Sequence, residues 1–241
     1  MKRLIATLSL LAMLTACQTS STKENPLLTE STLDYQAPDF SKIRPAHFVP
    51  AIKEGIRIQL AEIDSITSNT AAPTFENTVL AYEKSGRLLA RATSILSALV
   101  GADGTEELQK IDEETTPMLS AHHDALLLNE KLFARIKAVY DQRSSLQGED
   151  LRLTEVLYDQ FVHEGALLSA ADKEALKKIN SEIAVLQTKF TNQVNAGTKA
   201  AAVLVDRVED LDGLSEEAIA RAAEAATQAG KKGKYLLEQT N

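Results

Sequence analysis

The 241-residue sequence has no tryptophan, a single cysteine, and only 10 glycines and 6 prolines. One cysteine cannot form a disulfide within the chain, and an aromatic content of 5% leaves a core to be built from aliphatic side chains. The scarcity of glycine and proline favours long helices. The net charge of −8, with no basic stripe, argues against nucleic acid as a partner.

Most local signatures of catalysis are also missing from the sequence. There is no G-x-x-x-x-G-K-[ST] phosphate loop, no G-x-G-x-x-G and no G-x-S-x-G. His163 and Glu164 form the first half of the zinc-binding motif H-E-x-x-H, but the position of its second histidine is occupied by Leu167. We therefore interpret His163 and Glu164 as a solvated helix end rather than a metal site.

The other histidines do not supply a ligand set. His122 and His123 are adjacent, so their side chains point about 100° apart on a helix and cannot bind one ion together. His47 is isolated in the sequence. The acidic runs at 112–114 and 216–217 lack the surrounding loop of a calcium site, so solvated helix faces explain them better. The sequence alone thus predicts no catalytic residue and no metal ligand in this chain.

The N-terminus has the pattern of an export signal. "MKRLIATLSLLAMLTAC" begins with basic residues, continues with an apolar run too short to span a bilayer, and ends in small residues before Cys17. The last four letters resemble a bacterial lipobox, which implies cleavage between Ala16 and Cys17 and acylation of the Cys17 thiol. A plain signal peptide is the alternative. Because Gln18 rather than aspartate follows the cysteine, a Gram-negative cell would be expected to place the lipoprotein in the outer membrane, facing the periplasm.

Beyond the signal, apolar residues recur every three or four positions and predict an antiparallel, all-α bundle of long helices. The clearest seam runs from Leu176 to Val194 behind a capping sequence at Ser169, and we interpret it as bundle core rather than an intermolecular coiled coil. Pro117 is expected to end or kink a helix. The last residues, 232–241, read as a strand without a partner in the chain.

This pattern divides the chain into three parts. Residues 1–16 form the signal peptide, residues 17–41 the acylated cysteine with a polar tether, and residues 42–241 the helical domain. The tether carries two prolines and many serines and threonines, which is typical of an extended linker.

Several segments resemble the opening part of the M3 family of zinc oligopeptidases, most of all its bacterial peptidyl-dipeptidase branch. "PTFENT" is the most specific of them. The similar segments are "NPLL" at 25–28, "APDFSKIRPAHFVPAI" at 37–52, "PTFENTVLAYEKSG" at 73–86, "TPMLSAHHDALLLNEKLFARIKAVYDQ" at 116–142 and "FVHEGALLSAADKEALKKINSEIAVLQTKF" at 161–190.

The resemblance implies a lobe of an almost wholly helical peptidase with a deep substrate channel. Enzymes of that branch release dipeptides from the C-terminus of oligopeptides, and their Zn²⁺ is bound by H-E-x-x-H and a downstream glutamate in the C-terminal half. None of those ligands is in this chain, so no catalytic residue can be transferred to it. We expect the chain to be inactive and metal-free alone, and to act on oligopeptides together with the missing catalytic half. The alternative is a self-sufficient helical lipoprotein that binds or scaffolds.

Overall fold

The computed structural model describes residues 25–237, apart from the side chains of Asp103 and Lys199. Helices make up most of this part of the chain, so the prediction of an all-α bundle is confirmed. The helices are α1 (Phe48–Thr67), α2 (Leu80–Glu83), α3 (Arg87–Asp103), α4 (Glu106–Leu127), α5 (Glu130–Asp141), α6 (Gly148–His163), α7 (Ala170–Ala200) and α8 (Glu216–Gln228). Two short strands, β1 (Val203–Val205) and β2 (Tyr235–Leu237), follow α7 and α8. The chain divides into two compact units, the first ending at Ala184 and the second beginning at Val185.

The first unit is already packed at Asn25, well inside the segment predicted to be a tether. Leu27 is only 1% exposed and joins the hydrophobic cluster around Phe48. The Asn25 side-chain amide donates to the His47 carbonyl at 2.8 Å, and Arg91 donates to the Leu27 carbonyl at 3.0 Å. The buried leucine and these two hydrogen bonds fix the entering chain, so the packed part starts before residue 42. Ala16 and Cys17 lie outside the described residues.

Helices α1 and α3 run antiparallel in close contact. The pairs Gly55–Leu89 and Glu62–Gly86 bring residues of increasing number on α1 beside residues of decreasing number at and just before the start of α3. Their apolar faces, with the start of α4, enclose the first hydrophobic cluster: Leu27, Ile43, Phe48, Ala51, Ile52, Leu89, Ala92, Ile95, Leu96 and Leu108. Four-residue spacing of apolar positions on each helix explains why these side chains meet.

The "PTFENT" segment opens its helix with a reciprocal cap. Thr74 Oγ1 accepts the Asn77 backbone N–H at 3.2 Å, while Asn77 Oδ1 accepts the Thr74 N–H at 2.9 Å. Thr74 is therefore the N-cap of this helix. The first turn, Phe75–Val79, is a π-helix that leads into α2. The helical path is interrupted at Gly86, which takes a left-handed φ of 70°, and α3 begins after it.

Pro117 lies inside α4, which runs without a break from Glu106 to Leu127. Of the two outcomes expected at Pro117, an end or a kink, the structure excludes the end of the helix. Contacts of α4 with α1 and α3 explain the continuity, since tertiary packing can outweigh the loss of one helical hydrogen bond. Asn129 lies at the break between α4 and α5 and caps α5 by accepting the Leu132 N–H at 3.0 Å.

Helices α5 and α6 are also antiparallel and carry a chain of aromatic contacts. Phe133 stacks on Phe161 with ring centroids 6.1 Å apart, and Tyr140 stacks on Tyr158 at 3.8 Å. These rings border the second hydrophobic cluster, which contains Ile63, Ile66, Phe75, Val79, Leu126, Leu127, Leu132, Phe133, Ile136, Val139, Leu157, Phe161 and Ala166. The first unit thus has two aliphatic-rich cores joined by α1 and α4, as the scarcity of aromatic residues predicts.

Helix α7 does not follow the prediction of a bundle core. Its seam residues Ile179 and Ile183 in the first unit are about half exposed, and so are Leu186 and Val194 in the second. Phe190 is 68% exposed. These exposed side chains show that the interpretation of the seam as bundle core is wrong.

The second unit contains a small two-stranded sheet. Strands β1 and β2 pair antiparallel, with Val203 opposite Leu237 and Val205 opposite Tyr235. Helix α8, capped by Ser215, contacts β2, and its small residues Ala222 and Ala226 are buried. The prediction of an unpaired final strand is therefore wrong: its partner lies 30 residues earlier, beyond the reach of local sequence patterns. Among the helices described, none is sufficiently long and apolar to cross a membrane.

Candidate functional site

His163 and Glu164, the half-motif of a zinc site, point to different partners. His163 is the last residue of α6, is exposed, and its Nδ1 lies 2.8 Å from the Asp159 carbonyl. The Glu164 carboxylate instead lies 3.5 Å from His123 Nε2. His163 contacts the last turn of α6, whereas Glu164 links the end of α6 to α4. The two side chains therefore do not form one binding site.

The adjacent histidines of α4 face opposite environments. His122 is 6% exposed, and its Nε2 lies 2.7 Å from Gln59 Oε1 on α1. Burial, and then the neighbouring His123, lower the pKa of His122. His123 is half exposed beside Glu164. The ≈100° separation expected on a helix is thus visible in their separate partners.

The acidic runs and His47 are engaged in local structure. Burial, and then the adjacent Glu113, raise the pKa of Asp112, whereas Glu114 lies 3.8 Å from Lys53 on α1. Glu217, in the first turn of α8, pairs with Arg221 at 2.6 Å. His47 Nδ1 accepts the Arg44 backbone N–H at 3.1 Å.

Residues 25–237 contain no group of three or more His, Cys, Asp or Glu side chains placed to bind a metal ion. A catalytic zinc site needs three protein ligands around an open position. The described residues therefore do not fit the zinc that the resemblance to M3 peptidases implies, and no step of chemistry can be assigned to that metal here.

A cleft of about 410 Å³ lies beside the capped "PTFENT" turn. Its lining residues are mostly polar: Glu62, Ser65, Ile66, Asn69, Asn77, Ala81, Lys84 and Ser85. Several of these groups already hold the fold, since Glu62 accepts the Gly86 N–H at 2.8 Å and Asn77 forms the cap. The cleft can offer amide, hydroxyl and ammonium groups to a polar ligand, but it contains no nucleophile paired with a base.

A buried arginine supports the wall of this cleft. Arg135 on α5, 9% exposed, donates through Nη1 to the carbonyls of Asn69 (2.8 Å) and Ala71 (3.2 Å). Its Nη2 donates to Asn77 Oδ1 at 3.0 Å. One guanidinium thus ties the loop after α1 and the cap of the next helix to α5, using the fork of donors that only arginine offers.

Comparison with known proteins gives one match for the N-terminal segment and several for most of the chain. A family model described as "Prokaryotic membrane lipoprotein lipid attachment site" matches residues 1–18, which include Cys17. Over 219 residues the chain is 43% identical to dipeptidyl carboxypeptidase of Salmonella typhimurium, and over 222 residues it is 42% identical to dipeptidyl carboxypeptidase of Escherichia coli. Oligopeptidase A of Salmonella typhimurium is 26% identical over 215 residues.

The chain is a homologue of these M3-family peptidases. The alignments cover 90%, 91% and 88% of the chain, but 32%, 33% and 31% of the three relatives. The M3 homologue described here thus spans about a third of the length of the curated relatives it matches. The lipid attachment match supports a lipoprotein form of this homologue.

The residues that support the cleft of the M3 homologue were not predicted from the sequence. Arg135 was not singled out from the sequence, although Leu132, Ile136 and Val139 place it in the middle of the buried face. A charged residue at an apolar position of a helix is a readable sign of a buried hydrogen-bond network. Gln59, the partner of His122, gave no such sign because glutamine is common on helix surfaces.

Proposed function

We propose that this chain is the channel-forming, N-terminal portion of a zinc metallopeptidase that releases dipeptides from the C-terminus of oligopeptides. The identity of 43% with a dipeptidyl carboxypeptidase over 90% of the chain carries this proposal. The chain would bound the substrate channel and restrict entry to extended oligopeptides. The catalytic zinc and its H-E-x-x-H ligands would come from a catalytic half that is not among these 241 residues.

The exposed side of α7 supports the expectation of such a partner. Leu186, Phe190 and Val194, which we name the α7 row, present adjacent apolar side chains to solvent. Contiguous apolar surface of this kind is usually covered by another protein surface. In the proposed enzyme the catalytic half would cover the α7 row, and the isolated chain would have no peptidase activity.

A complementation assay tests this function. The chain would be mixed with the part of the Escherichia coli dipeptidyl carboxypeptidase that it does not match, and release of the C-terminal dipeptide from a short peptide would be measured with and without a zinc chelator. We expect chelator-sensitive release from the mixture and none from either part alone. Zinc-dependent cleavage by the purified 241-residue chain would contradict its inactivity, and a silent mixture would contradict the channel role.

We also propose that the mature chain is acylated at Cys17, and that it faces the periplasm from the outer membrane of a Gram-negative cell. The lipid attachment match over residues 1–18 supports the anchor, and Gln18 supports the outer membrane. Membrane fractionation of cells that express the wild type and Cys17→Ser tests both points. The wild type should sediment with outer-membrane markers and the variant should not, whereas equal distribution of the two would refute the anchor.

A stand-alone binding or scaffold lipoprotein is the second candidate function. The observation in its favour is that the first unit encloses two hydrophobic clusters from its own residues. This alternative predicts cooperative thermal unfolding of the isolated chain and no activity in the complementation assay. Peptidase activity in the complementation mixture would instead support the first proposal, the N-terminal portion of a peptidase.

A further inference from the structure

A loop near the N-terminal end of the first unit leaves the hydrophobic core and returns to the same place. Leu27 and Ile43 are both buried in the cluster that contains Phe48 and Ile52. Between them, residues 29–42 run across the surface with only one short helical turn, Asp34–Gln36. The 29–42 loop therefore has both of its ends fixed in one core, in the manner of a compact surface loop.

The 29–42 loop exposes its largest apolar side chains. Leu33 and Phe40 are about half exposed, and Tyr35 is completely exposed. Tyr35 and Gln36 both take a left-handed φ of 57°, which side chains other than glycine rarely adopt. No packing within the described chain accounts for a tyrosine projected outward by an unfavourable backbone conformation, so the loop has the features of a contact surface.

Polar contacts join this loop to itself and to α3. Glu30 accepts from the Gln36 side-chain amide at 3.3 Å and lies 3.6 Å from Arg87 on α3. At the far end, Asp39 pairs with Lys42 at 2.8 Å, and this contact, together with the Ser41 hydroxyl, lowers the pKa of Asp39. The three apolar side chains are thus presented from a hydrogen-bonded frame.

The position of the lipid attachment cysteine limits how far this loop can be from a membrane. Eight residue steps separate Cys17 from Asn25, and a fully extended chain covers at most about 3.6 Å per residue, or about 29 Å in total. Asn25 is hydrogen-bonded to His47 and lies two residues before Leu27, the base of the loop. Acylation at Cys17 would therefore hold this end of the first unit close to the bilayer.

We propose that the 29–42 loop is a membrane-contact surface, in which Leu33, Tyr35 and Phe40 enter the headgroup region of the bilayer that holds the Cys17 acyl chains; this inference rests on the acylation proposed above. A tyrosine suits this boundary because its ring is apolar and its hydroxyl can stay hydrated. The loop carries Glu30, Asp34 and Asp39 against Lys42, so attraction to anionic lipid is not the driving force. The contact is apolar, insensitive to salt, and suited to zwitterionic lipid.

Fluorescence of the full-length lipidated chain tests this contact. The sequence has no tryptophan, so Tyr35→Trp introduces a single reporter at the loop. Leu60→Trp is the matched control: Leu60 is 40% exposed, and it lies 13 residues along the chain from His47, about 20 Å at 1.5 Å per helical residue. Both variants would be reconstituted into phosphatidylcholine vesicles whose acyl chains are brominated near the ester groups, and co-flotation would confirm attachment.

The proposal expects a blue-shifted emission and roughly twofold quenching of Tyr35→Trp, with little change at Leu60→Trp, because only the loop lies at the interface. Adding Leu33→Ser and Phe40→Ser to Tyr35→Trp should reduce the quenching, and raising the salt concentration should not. Equal quenching of the two reporters, or an unquenched Tyr35→Trp in vesicle-bound chain, would overturn the loop contact while leaving the anchor intact. So would loss of quenching in high salt, which would indicate ion pairing with headgroups. A chain that does not co-float would overturn the loop contact together with the proposed acylation of Cys17.

Discussion

His122 Nε2 lies 2.7 Å from Gln59 Oε1, and this hydrogen bond joins α4 to α1 inside the first unit. The Gln59 amide nitrogen donates to Ser85 Oγ at 3.2 Å, so its Oε1 is the atom that faces the imidazole and can only accept. Nε2 of His122 must therefore carry the proton. Nδ1 is left as a bare lone pair, buried and without a partner.

From this arrangement we predict a loss of stability in mild acid. Protonation would place a charged N–H at Nδ1 where no acceptor lies, which is why burial lowers the pKa of His122 below its value of about 6.5 in the unfolded chain. Between the pKa of the folded chain and about pH 6.5, the unfolded state binds more protons than the folded state does, so acid favours unfolding. His122 therefore contributes its full stability above about pH 7 and loses it as the pH falls through the folded-state pKa.

Urea denaturation of the wild type and His122→Gln at about pH 7.5 and about pH 5 measures this effect. The wild type should lose more unfolding free energy between the two pH values than His122→Gln, which keeps a donor but cannot titrate. His163→Gln, at an exposed histidine, is the control and should behave as the wild type does. Identical pH dependence in all three proteins would disprove the role of His122.

A second prediction concerns the close approach of α1 and α3 at Gly55. A Cβ atom at Gly55 would lie 2.8 Å from the Leu89 Cα and 2.9 Å from its backbone nitrogen. Because backbone atoms cannot swing aside, Gly55→Ala should push the helices apart and destabilise the first unit by about 1–3 kcal/mol.

Gly101→Ala is the matched control on α3, since no atom lies within 4 Å of its added methyl group. There alanine should instead stabilise the helix by about 0.5 kcal/mol through its higher helix propensity. Opposite signs for these two substitutions in thermal denaturation would establish the contact, and two stabilising substitutions would rule it out.

Arg135 gives the third prediction. Arg135→Met removes three hydrogen bonds and leaves the carbonyls of Asn69 and Ala71 without their donor, which we expect to cost about 3 kcal/mol of unfolding free energy. Arg135→Lys should recover less than half of this, since an ammonium lacks the guanidinium fork.

Arg152→Met serves as the comparison for Arg135. Arg152 has a side chain that is 72% exposed and an ion pair of 3.6 Å with Glu155, and its loss should change the free energy by less than about 0.5 kcal/mol. Equal effects of Arg135→Met and Arg152→Met in urea denaturation would show that the buried network contributes no more than a surface ion pair.

Interactions between residues close together in the sequence could be predicted, whereas interactions between distant residues could not. Helix caps such as Thr74 and Ser215 were predictable, because the capping oxygen and the N–H it accepts are three residues apart. The pairing of Val203 with Leu237 was not, because strand partners distant in sequence leave no local signal. Gln59 and His122 are 63 residues apart and likewise share no readable pattern. The hypothesis of a peptidase came from the family resemblance of "PTFENT" and similar segments, because the spacing of residues in the sequence indicates no catalytic site.

The last prediction concerns the α7 row. Because these side chains are exposed, a substitution there can weaken binding to a partner without changing the stability of the isolated chain. Phe190 is 68% exposed, so Phe190→Glu should change the unfolding free energy of the isolated chain by less than about 0.5 kcal/mol. If the row is covered by the catalytic half in the proposed enzyme, the same carboxylate would be buried there without a partner and should abolish dipeptide release in the complementation assay.

Ala196→Glu adds the same charge six residues further along α7, rotated about 120° away from Phe190 at 3.6 residues per turn. This control should keep its activity with the catalytic half. A loss of stability in isolated Phe190→Glu would mean that the phenylalanine is packed inside the chain. Retained activity of Phe190→Glu in the mixture would mean that the α7 row is not where the catalytic half binds.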